Sequence, residues 1–131
     1  MIKKLEDFIN SYNEKDVVWG EDDCTAWAAK WVEIATGNRI ELPPYQTQEQ
    51  AHEIINEAGG LVELVNQYLG FSYEYGEPEL GDIAVIETAR SGLVTVIMLQ
   101  NYAAVWRGDT GVKAFRVRHN CIKAYWKINE Q

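Results

Sequence analysis

The spacing of the apolar residues changes once along this chain of 131 residues, close to Gly70. Before that glycine, apolar residues recur at every third or fourth position, which is typical of helices that bury one face. After Pro78 the chain consists of short β-branched or aromatic runs separated by turn sequences such as "RSG" and "RGDTG", which predict strands. Helices followed by strands favour an α+β fold, in which helices within residues 1–70 pack on a small antiparallel sheet within residues 81–128.

Four helices are predicted in the first half of the chain. The second begins at Asp22 or Asp23, either of which can serve as its N-cap, and ends at Gly37. The third begins near Thr47, after the prolines of "ELPPY", and a Gly-Gly pair at 59–60 separates it from the fourth, which ends at residue 70. The apolar faces that define the first, third and fourth helices comprise Leu5, Phe8, Ile9, Tyr12, Ala51, Ile54, Ile55, Ala58, Leu61, Leu64, Val65 and Tyr68.

Five runs in the second half predict four or five strands, arranged as an antiparallel meander. They read "GDIAVIE", "LVTVIML", "YAAVW", "VKAFRVR" and "AYWKI". No repeat, low-complexity segment or linker interrupts the chain. Residues 1–131 are therefore predicted to form one domain, which is long enough to bury a core without a metal or a disulfide.

Charge and hydropathy exclude several classes of function. Twelve basic and twenty acidic residues give a net charge of −8, so a phosphate-binding surface, and hence a nucleic-acid partner, is not expected. The polar start "MIKKLEDFINSY" lacks the apolar run of a signal peptide, and the longest apolar runs are too short to cross a bilayer. No phosphate loop, paired-carboxylate motif or metal-binding spacing is present, so neither a cofactor nor a metal is predicted.

The stretch "WGEDDCTAWAAKWV" places Cys24 in the first turn of the second helix. There the free backbone N–H groups and the helix dipole favour a thiolate. The acidic residues Glu21, Asp22 and Asp23 act in the opposite direction, because like charges raise the pKa of a thiol. Considered alone, these residues favour a buried structural cysteine over a nucleophile. Cys24 and Cys121 are predicted to be free thiols in a reducing compartment.

This stretch, followed by "GGLVELVNQYLG" and "GDIAVIE", resembles a family of small phage proteins from Trp19 to the last predicted strand. That family in turn resembles the NlpC-type papain-like cysteine peptidases of bacterial cell walls. In those enzymes an Asp-Cys pair opens the helix that carries the nucleophile, and a Gly-Asp-hydrophobic element begins the first strand. The matching residues here are Asp23-Cys24 and Gly81-Asp82-Ile83. The resemblance implies a papain-like fold, with Asp82 at the start of the first strand and close to the Cys24 helix.

The third element of the peptidase pattern is missing from this chain. Where the peptidases begin their second strand with a histidine, "SGLVTVIML" places Leu93 or Val94. Neither side chain can take a proton from a thiol or return one to a leaving amine. A third, orienting polar residue is also not apparent in "AAVWR". The resemblance therefore implies the fold with Cys24 in the nucleophile position and without its catalytic histidine.

The chain has two histidines that could substitute for the missing base. His119, in "FRVRHNC" with Asn120 beside it, is the candidate displaced base, although a solvated loop histidine between Arg116 and Cys121 is the favoured interpretation. His52, on the polar side of the third helix, is predicted to be exposed and without a role. A zinc site built from the two cysteines and two histidines is not predicted, because it lacks the close paired spacing of such sites.

Together these observations favour a structural or assembly protein of a phage, associated with its tail, with a degenerate NlpC-like fold. Its predicted partners are other phage structural proteins, and its predicted location is the virion or the host cytoplasm, without membrane insertion. Two alternatives remain open. The first is an active cysteine hydrolase of cell-wall peptidoglycan that uses Cys24 and His119, and the second is a non-catalytic binding module.

Overall fold

The helices precede the strands in the computed structural model, which describes residues 2–73 and 75–128. The helices are α1 (Ile2–Asn10), α2 (Cys24–Thr36), α3 (Gln48–Ala58) and α4 (Leu61–Leu69), and the strands are β1 (Ile83–Thr88), β2 (Gly92–Met98), β3 (Ala103–Arg107), β4 (Val112–Arg116) and β5 (Ile122–Trp126). A short 3₁₀ turn, His119–Cys121, precedes β5. The predicted α+β class is confirmed, with four helices and a five-stranded antiparallel sheet.

The helix ends lie where the local signals predict them. Gly37 and Gly59 end α2 and α3 in the left-handed conformation that favours glycine. Thr47 caps α3 by accepting a hydrogen bond from the Gln50 N–H. Asp23 is the N-cap residue of α2, but its side chain makes no capping bond to the helix. The position of this cap follows the prediction, whereas its carboxylate serves the loop in front of the helix.

The strand order, β4-β3-β2-β1-β5, differs from the predicted meander in its last strand. Strands β1, β2 and β3 are each paired with the strand that follows, but β5 returns to the free side of β1. Burial explains this placement, because Ala124, Tyr125 and Trp126 are consecutive and all buried. Beside β1 both faces of these residues are covered, whereas β4 is largely exposed.

Tryptophan side chains of α2 hold that helix against the sheet. Trp27 and Trp31 are fully buried in the core between the helices and one face of the sheet. The Trp31 Nε1–H donates to the Gly81 carbonyl at 2.8 Å, so the helix is tied to the residues that lead into β1. Asp82, directly before β1, accepts hydrogen bonds from the Glu79 N–H at 2.8 Å and the Ile128 N–H at 3.1 Å. The Gly-Asp element thus lies next to α2.

Within the described ranges, no helix is both long and apolar enough to cross a lipid bilayer.

Candidate functional site

The loop in front of α2 is shaped by the two aspartates that precede Cys24. Asp22 Oδ1 accepts the Val18 N–H at 2.7 Å, and Asp23 Oδ1 accepts the Gly20 N–H at 2.8 Å. Such side-chain bonds to nearby backbone donors stabilise a turn in place of regular structure. They set the point at which the chain enters α2, and therefore the position of Cys24 in its first turn.

Gly20 is required in this loop by both its conformation and its surroundings. Its φ is +88°, and a Cβ added there would lie 1.9 Å from the Tyr45 carbonyl oxygen. We expect Gly20→Ala to lower the free energy of unfolding by about 2 kcal/mol or more, since a left-handed L-residue alone costs about 1–2 kcal/mol. Gly59→Ala is the matched control, because Gly59 is left-handed with a φ of +98° and the added atom would lie at an ordinary 3.6 Å from the Glu63 side chain. Equal losses for the two variants in urea unfolding would contradict the close approach to Tyr45.

Asp22 also forms a buried ion pair with the last residue of β3. Its Oδ1 lies 3.4 Å from Arg107 Nη2, and its Oδ2 lies 3.2 Å from Lys15 Nζ. Arg107 Nη1 donates to the carbonyls of Lys15 at 2.8 Å and Gly111 at 2.9 Å. Burial acts to raise the pKa of Asp22, but the Val18 N–H and the two cations outweigh it, so the pKa is lowered. The pair joins the loop to the sheet and holds Asp22 ionised.

Asp23 binds Tyr45, which lies in the segment between α2 and α3. The Tyr45 hydroxyl is 2.9 Å from Oδ1 and 2.7 Å from Oδ2 of the carboxylate. Burial is the largest cause that raises the pKa of Tyr45, and the negative charge of Asp23 adds to it. The phenol therefore stays neutral and donates its proton to Asp23, which keeps this segment in place beside the N-terminus of α2.

Cys24 faces a gap in the sheet. The pairing of β2 with β3 covers Ile97↔Val105 and Met98↔Ala104 and stops there. Thr95, one pleat further along β2, therefore has no partner residue on β3 in this register. Its hydroxyl lies 3.2 Å from that of Thr25, which in turn lies 3.9 Å from Cys24 Sγ. Cys24 thus lies beside the end of the β2–β3 pairing, and the residue as a whole is half-buried.

The surroundings of Cys24 favour a protonated thiol. Burial is the largest cause that raises its pKa, and the nearby Asp23 carboxylate raises it further. The Thr95 backbone N–H, the Thr25 hydroxyl and the Trp106 indole stabilise the thiolate and lower the pKa, but less than burial raises it. The pKa remains above its ordinary value, so the thiolate is a minor species near pH 7.

A cleft of about 250 Å³ opens beside Cys24. Its walls combine aromatic and aliphatic side chains with a few polar groups, and they include Trp19, Leu42, Pro43, Tyr45, Gln48, His52, Ile54, Ile55, Leu61, Leu64, Leu93, Val94 and Trp106. The Trp106 Nε1–H is buried and, apart from the neighbouring Cys24 sulfur, has no hydrogen-bond acceptor nearby among the described residues. The walls also include the polar and charged residues Asp23, Thr25, Ser91, Arg107 and Asp109. A cleft that combines apolar walls with polar groups is the usual form of a site for a small ligand or a partner side chain.

The structure separates the residues that the sequence nominated. Cys24 lines the cleft, and so does the exposed His52 of α3. His119 lies in the 3₁₀ turn before β5, where its ring stacks on Tyr102 with 3.9 Å between the centroids. It is not among the residues that line the cleft. Leu93 and Val94 do line the cleft. The residue of β2 that makes a polar contact with the sulfur is Thr95, through its backbone N–H.

Several residues of the site cannot be identified from the sequence. Thr95 and Trp106 sit inside strand-like runs, where they resemble ordinary sheet residues. Tyr45 lies in an irregular segment, and Arg107 belongs to a turn sequence although it is only 2% exposed. For Tyr45 and Arg107 the acidic pair before Cys24 is the available signal, because a buried aspartate requires a hydrogen-bond donor or a cation as partner.

Comparison with known proteins places the chain in a family. No curated protein matches it. The family model described as "Domain of unknown function (DUF6950)" matches residues 2–128. Because this match covers nearly the whole chain, the protein belongs to the DUF6950 family.

Proposed function

We propose that the protein is a non-catalytic relative of the NlpC-type papain-like peptidases, which acts through binding in the assembly or the tail of a phage particle. In this proposal Cys24 occupies the nucleophile position without working as a nucleophile. The cleft beside it serves to hold part of a partner protein.

The papain-like part of the proposal is supported by the placement of two short motifs. Asp23-Cys24 opens the helix that packs on the sheet, and Gly81-Asp82 leads into the first strand of that sheet. The hydrogen bond from Trp31 Nε1 to the Gly81 carbonyl joins the two elements directly. Along the chain the helices precede the antiparallel sheet, which is the order that the resemblance implies.

The observation that carries the non-catalytic assignment is the set of groups around the sulfur. Among the described residues, no imidazole is hydrogen-bonded to Cys24 Sγ, and none contributes to the shift of its pKa. Its hydrogen-bonding neighbours are hydroxyl, amide and indole donors, which cannot accept a proton from a thiol at neutral pH. The nearby Asp23 carboxylate is bound by the Tyr45 hydroxyl and raises the pKa of the thiol. Without a base the sulfur stays protonated, and a protonated thiol is a poor nucleophile.

Binding is supported by the composition of the cleft. Its apolar wall comes from four different parts of the chain, which are the segment before α2, the segment before α3, α3 with α4, and strands β2 and β3. The buried Trp106 Nε1–H makes no hydrogen bond at the usual distance among the described residues and has the Cys24 sulfur, a weak acceptor, as its neighbour, so a ligand that supplies an oxygen there would satisfy it better.

A cysteine hydrolase of peptidoglycan is the second candidate, and one observation favours it. His52 lines the same cleft as Cys24. An exposed side chain on α3 that turned toward the sulfur when a substrate bound would supply the base that is otherwise missing. His119, the base nominated from the sequence, stacks on Tyr102 outside the cleft.

The two candidates differ in the reactivity of Cys24. In a Cys121→Ser variant, which leaves a single thiol, we expect the alkylation rate with iodoacetamide to rise about tenfold per pH unit from pH 7 to 9, without a plateau. The reason is that only the thiolate reacts, and the raised pKa keeps its fraction small across this range. Release of muropeptides from purified peptidoglycan should not exceed that of Cys24→Ala.

A plateau below pH 8, together with cleavage that Cys24→Ala abolishes, would replace the proposal by the hydrolase. His52→Ala and His119→Ala would then identify the base, since only the true base should reduce both the rate and its dependence on pH. The phage setting is tested separately, by a mass-spectrometric inventory of purified particles of a phage that encodes the chain.

A further inference from the structure

The two edges of the sheet differ in chemistry. Along one of them, the β4 edge, no strand lies outside residues 112–116 in the described part of the chain, although Asp16 bridges Thr110 in the turn before β4. At the opposite side of the sheet, Tyr73 forms an antiparallel bridge with Tyr125 of β5. Residues 71–73, followed by Tyr75, thus lie outside β5 as a short additional edge. Because its side chains are mostly aromatic, we call it the aromatic edge.

The aromatic edge presents large side chains to solvent at alternate positions. Phe71 is 99% exposed, Tyr75 is 87% exposed and Tyr73 is 51% exposed. Tyr73 exchanges two backbone hydrogen bonds with Tyr125, at 2.8 and 3.0 Å, and stacks on its ring. This contact ties the aromatic edge to β5, while its apolar surface remains uncovered. Exposed aromatic groups clustered in this way are typical of protein–protein contact surfaces.

The β4 edge offers free backbone hydrogen-bonding groups. Val117 N–H donates to the Tyr102 carbonyl, and Gly108 N–H donates to the Gly111 carbonyl. With the register Val105↔Ala114, the alternation of an antiparallel ladder directs the N–H and C=O of Ala114 and its neighbours at 112 and 116 away from β3. An open edge of this kind accepts a further strand from another chain.

Charge distinguishes the edges further. Residues 40–89 include ten acidic residues and no lysine or arginine, whereas residues 90–128 include seven basic residues and one acidic residue. On and beside the β4 edge, Lys113, Arg116 and Arg118 are exposed and form no ion pair within the described ranges. Near the aromatic edge, the two lysines of the β5 region are already paired, Lys123 with Glu87 and Lys127 with Glu79. The excess charge is therefore positive along β4, while the exposed Glu77 places negative charge beside the aromatic edge.

From these differences we infer that the aromatic edge of one copy of this chain docks on the β4 edge of a second copy, so that the sheet continues from one molecule to the next. A second copy fits because it carries both the acidic, aromatic surface and the basic, open edge that complements it. The contact joins two different surfaces, so it is head-to-tail and leads to a ring or an open row of molecules. The inference concerns the sheet edges alone and does not depend on the role of the cleft.

The test is sedimentation equilibrium of the full chain in about 0.1 M salt, where the screening length of about 10 Å suppresses the repulsion between net charges of like sign. We expect the average mass to rise with concentration beyond that of a dimer. Phe71→Ser and Lys113→Glu each alter an exposed side chain at one edge, and each should raise the dissociation constant about tenfold or more. Ile34→Ser and Lys4→Glu, at exposed positions of α2 and α1, are matched controls that should leave it unchanged.

Mixing the two edge variants distinguishes a head-to-tail contact from a symmetric one. Phe71→Ser keeps its β4 edge, and Lys113→Glu keeps its aromatic edge. At a concentration at which neither variant associates alone, an equimolar mixture should therefore form dimers that grow no further. Three outcomes would each overturn the inference. The wild type could remain a monomer at about 1 mM, which is the weak end of the affinity scale. The control variants could weaken association as much as the edge variants, or the mixture could fail to associate. Circular dichroism of every variant establishes that it is folded.

Discussion

Replacing Asp22 by asparagine is expected to lower the free energy of unfolding by about 3–5 kcal/mol, the usual cost of removing one partner from a buried ion pair. The Arg107 side chain is fully buried, and Asp22 is the carboxylate beside it, with Nη2 to Oδ1 at 3.4 Å. Asparagine keeps the shape and can still accept the Val18 N–H, but it cannot neutralise the guanidinium. Urea denaturation of the variant at pH 7 measures the loss.

The pH dependence of the wild type provides a second measurement of the same pair. Because the folded state lowers the pKa of Asp22, this group contributes stability above its unfolded pKa of about 3.9. That contribution is lost as the pH falls through the lower, folded-state pKa. The difference between wild type and Asp22→Asn should therefore shrink in acid.

Asp7→Asn is the control for the Asp22 variant. Asp7 pairs with Lys3 at 3.0 Å on the exposed surface of α1, where a salt bridge contributes little, so its removal should change stability hardly at all. Equal losses of stability in Asp7→Asn and Asp22→Asn would contradict the inference that burial makes the Asp22–Arg107 pair important for stability. A loss at Asp22 that does not depend on pH would contradict the assignment of its charge.

Trp31→Ala should cost about 3–5 kcal/mol of the free energy of unfolding, which is typical of truncating a fully buried tryptophan. Trp31 is 0% exposed and packs between α2 and the sheet. The truncation leaves a cavity and also removes the hydrogen bond to the Gly81 carbonyl at 2.8 Å. Thermal or urea unfolding followed by circular dichroism provides the measurement.

Trp31→Phe separates the two contributions to that loss. Phenylalanine retains much of the buried apolar area but has no donor for the Gly81 carbonyl. We therefore expect Trp31→Phe to lower the free energy of unfolding by about 1–3 kcal/mol, the cost of an unsatisfied buried acceptor. Ile34→Ala, on the exposed side of the same helix, tests for a general loss of helix stability and should have a small effect. A Trp31→Phe variant as stable as the wild type would show that the hydrogen bond from Trp31 to the Gly81 carbonyl contributes nothing to the free energy of unfolding.

The helices are predicted well because their signals are local. The change of spacing near Gly70, the glycines at 37 and 59 and the threonine at 47 all act within a few residues of the helix ends they determine. The strand runs are also recognised from their own residues. The position of β5 is not, because pairing beside β1 connects residues about forty positions apart, and the choice depends on which edge buries Tyr125 and Trp126.

The candidate site divides in the same way. Cys24 in the first turn of a helix follows from Asp23 before it and Gly37 after it, and the absence of a histidine in the second strand is visible in the sequence. The partners that decide the chemistry of Cys24 are remote, since Thr25 meets Thr95 across 70 positions of the chain. Nothing local distinguishes Thr95 from any other strand residue.

The sequence by itself thus determined which elements form, where they begin and end, and that a cysteine stands at a helix N-terminus, because these depend on short-range propensity and capping. The tertiary structure alone decided that β2 and β3 separate beside the sulfur, that Arg107 is buried against Asp22, and that the aromatic and basic edges lie at opposite ends of the sheet. The physical reason is that burial and charge pairing depend on which distant segments pack together, and burial by these segments is also what raises the pKa of Cys24 most.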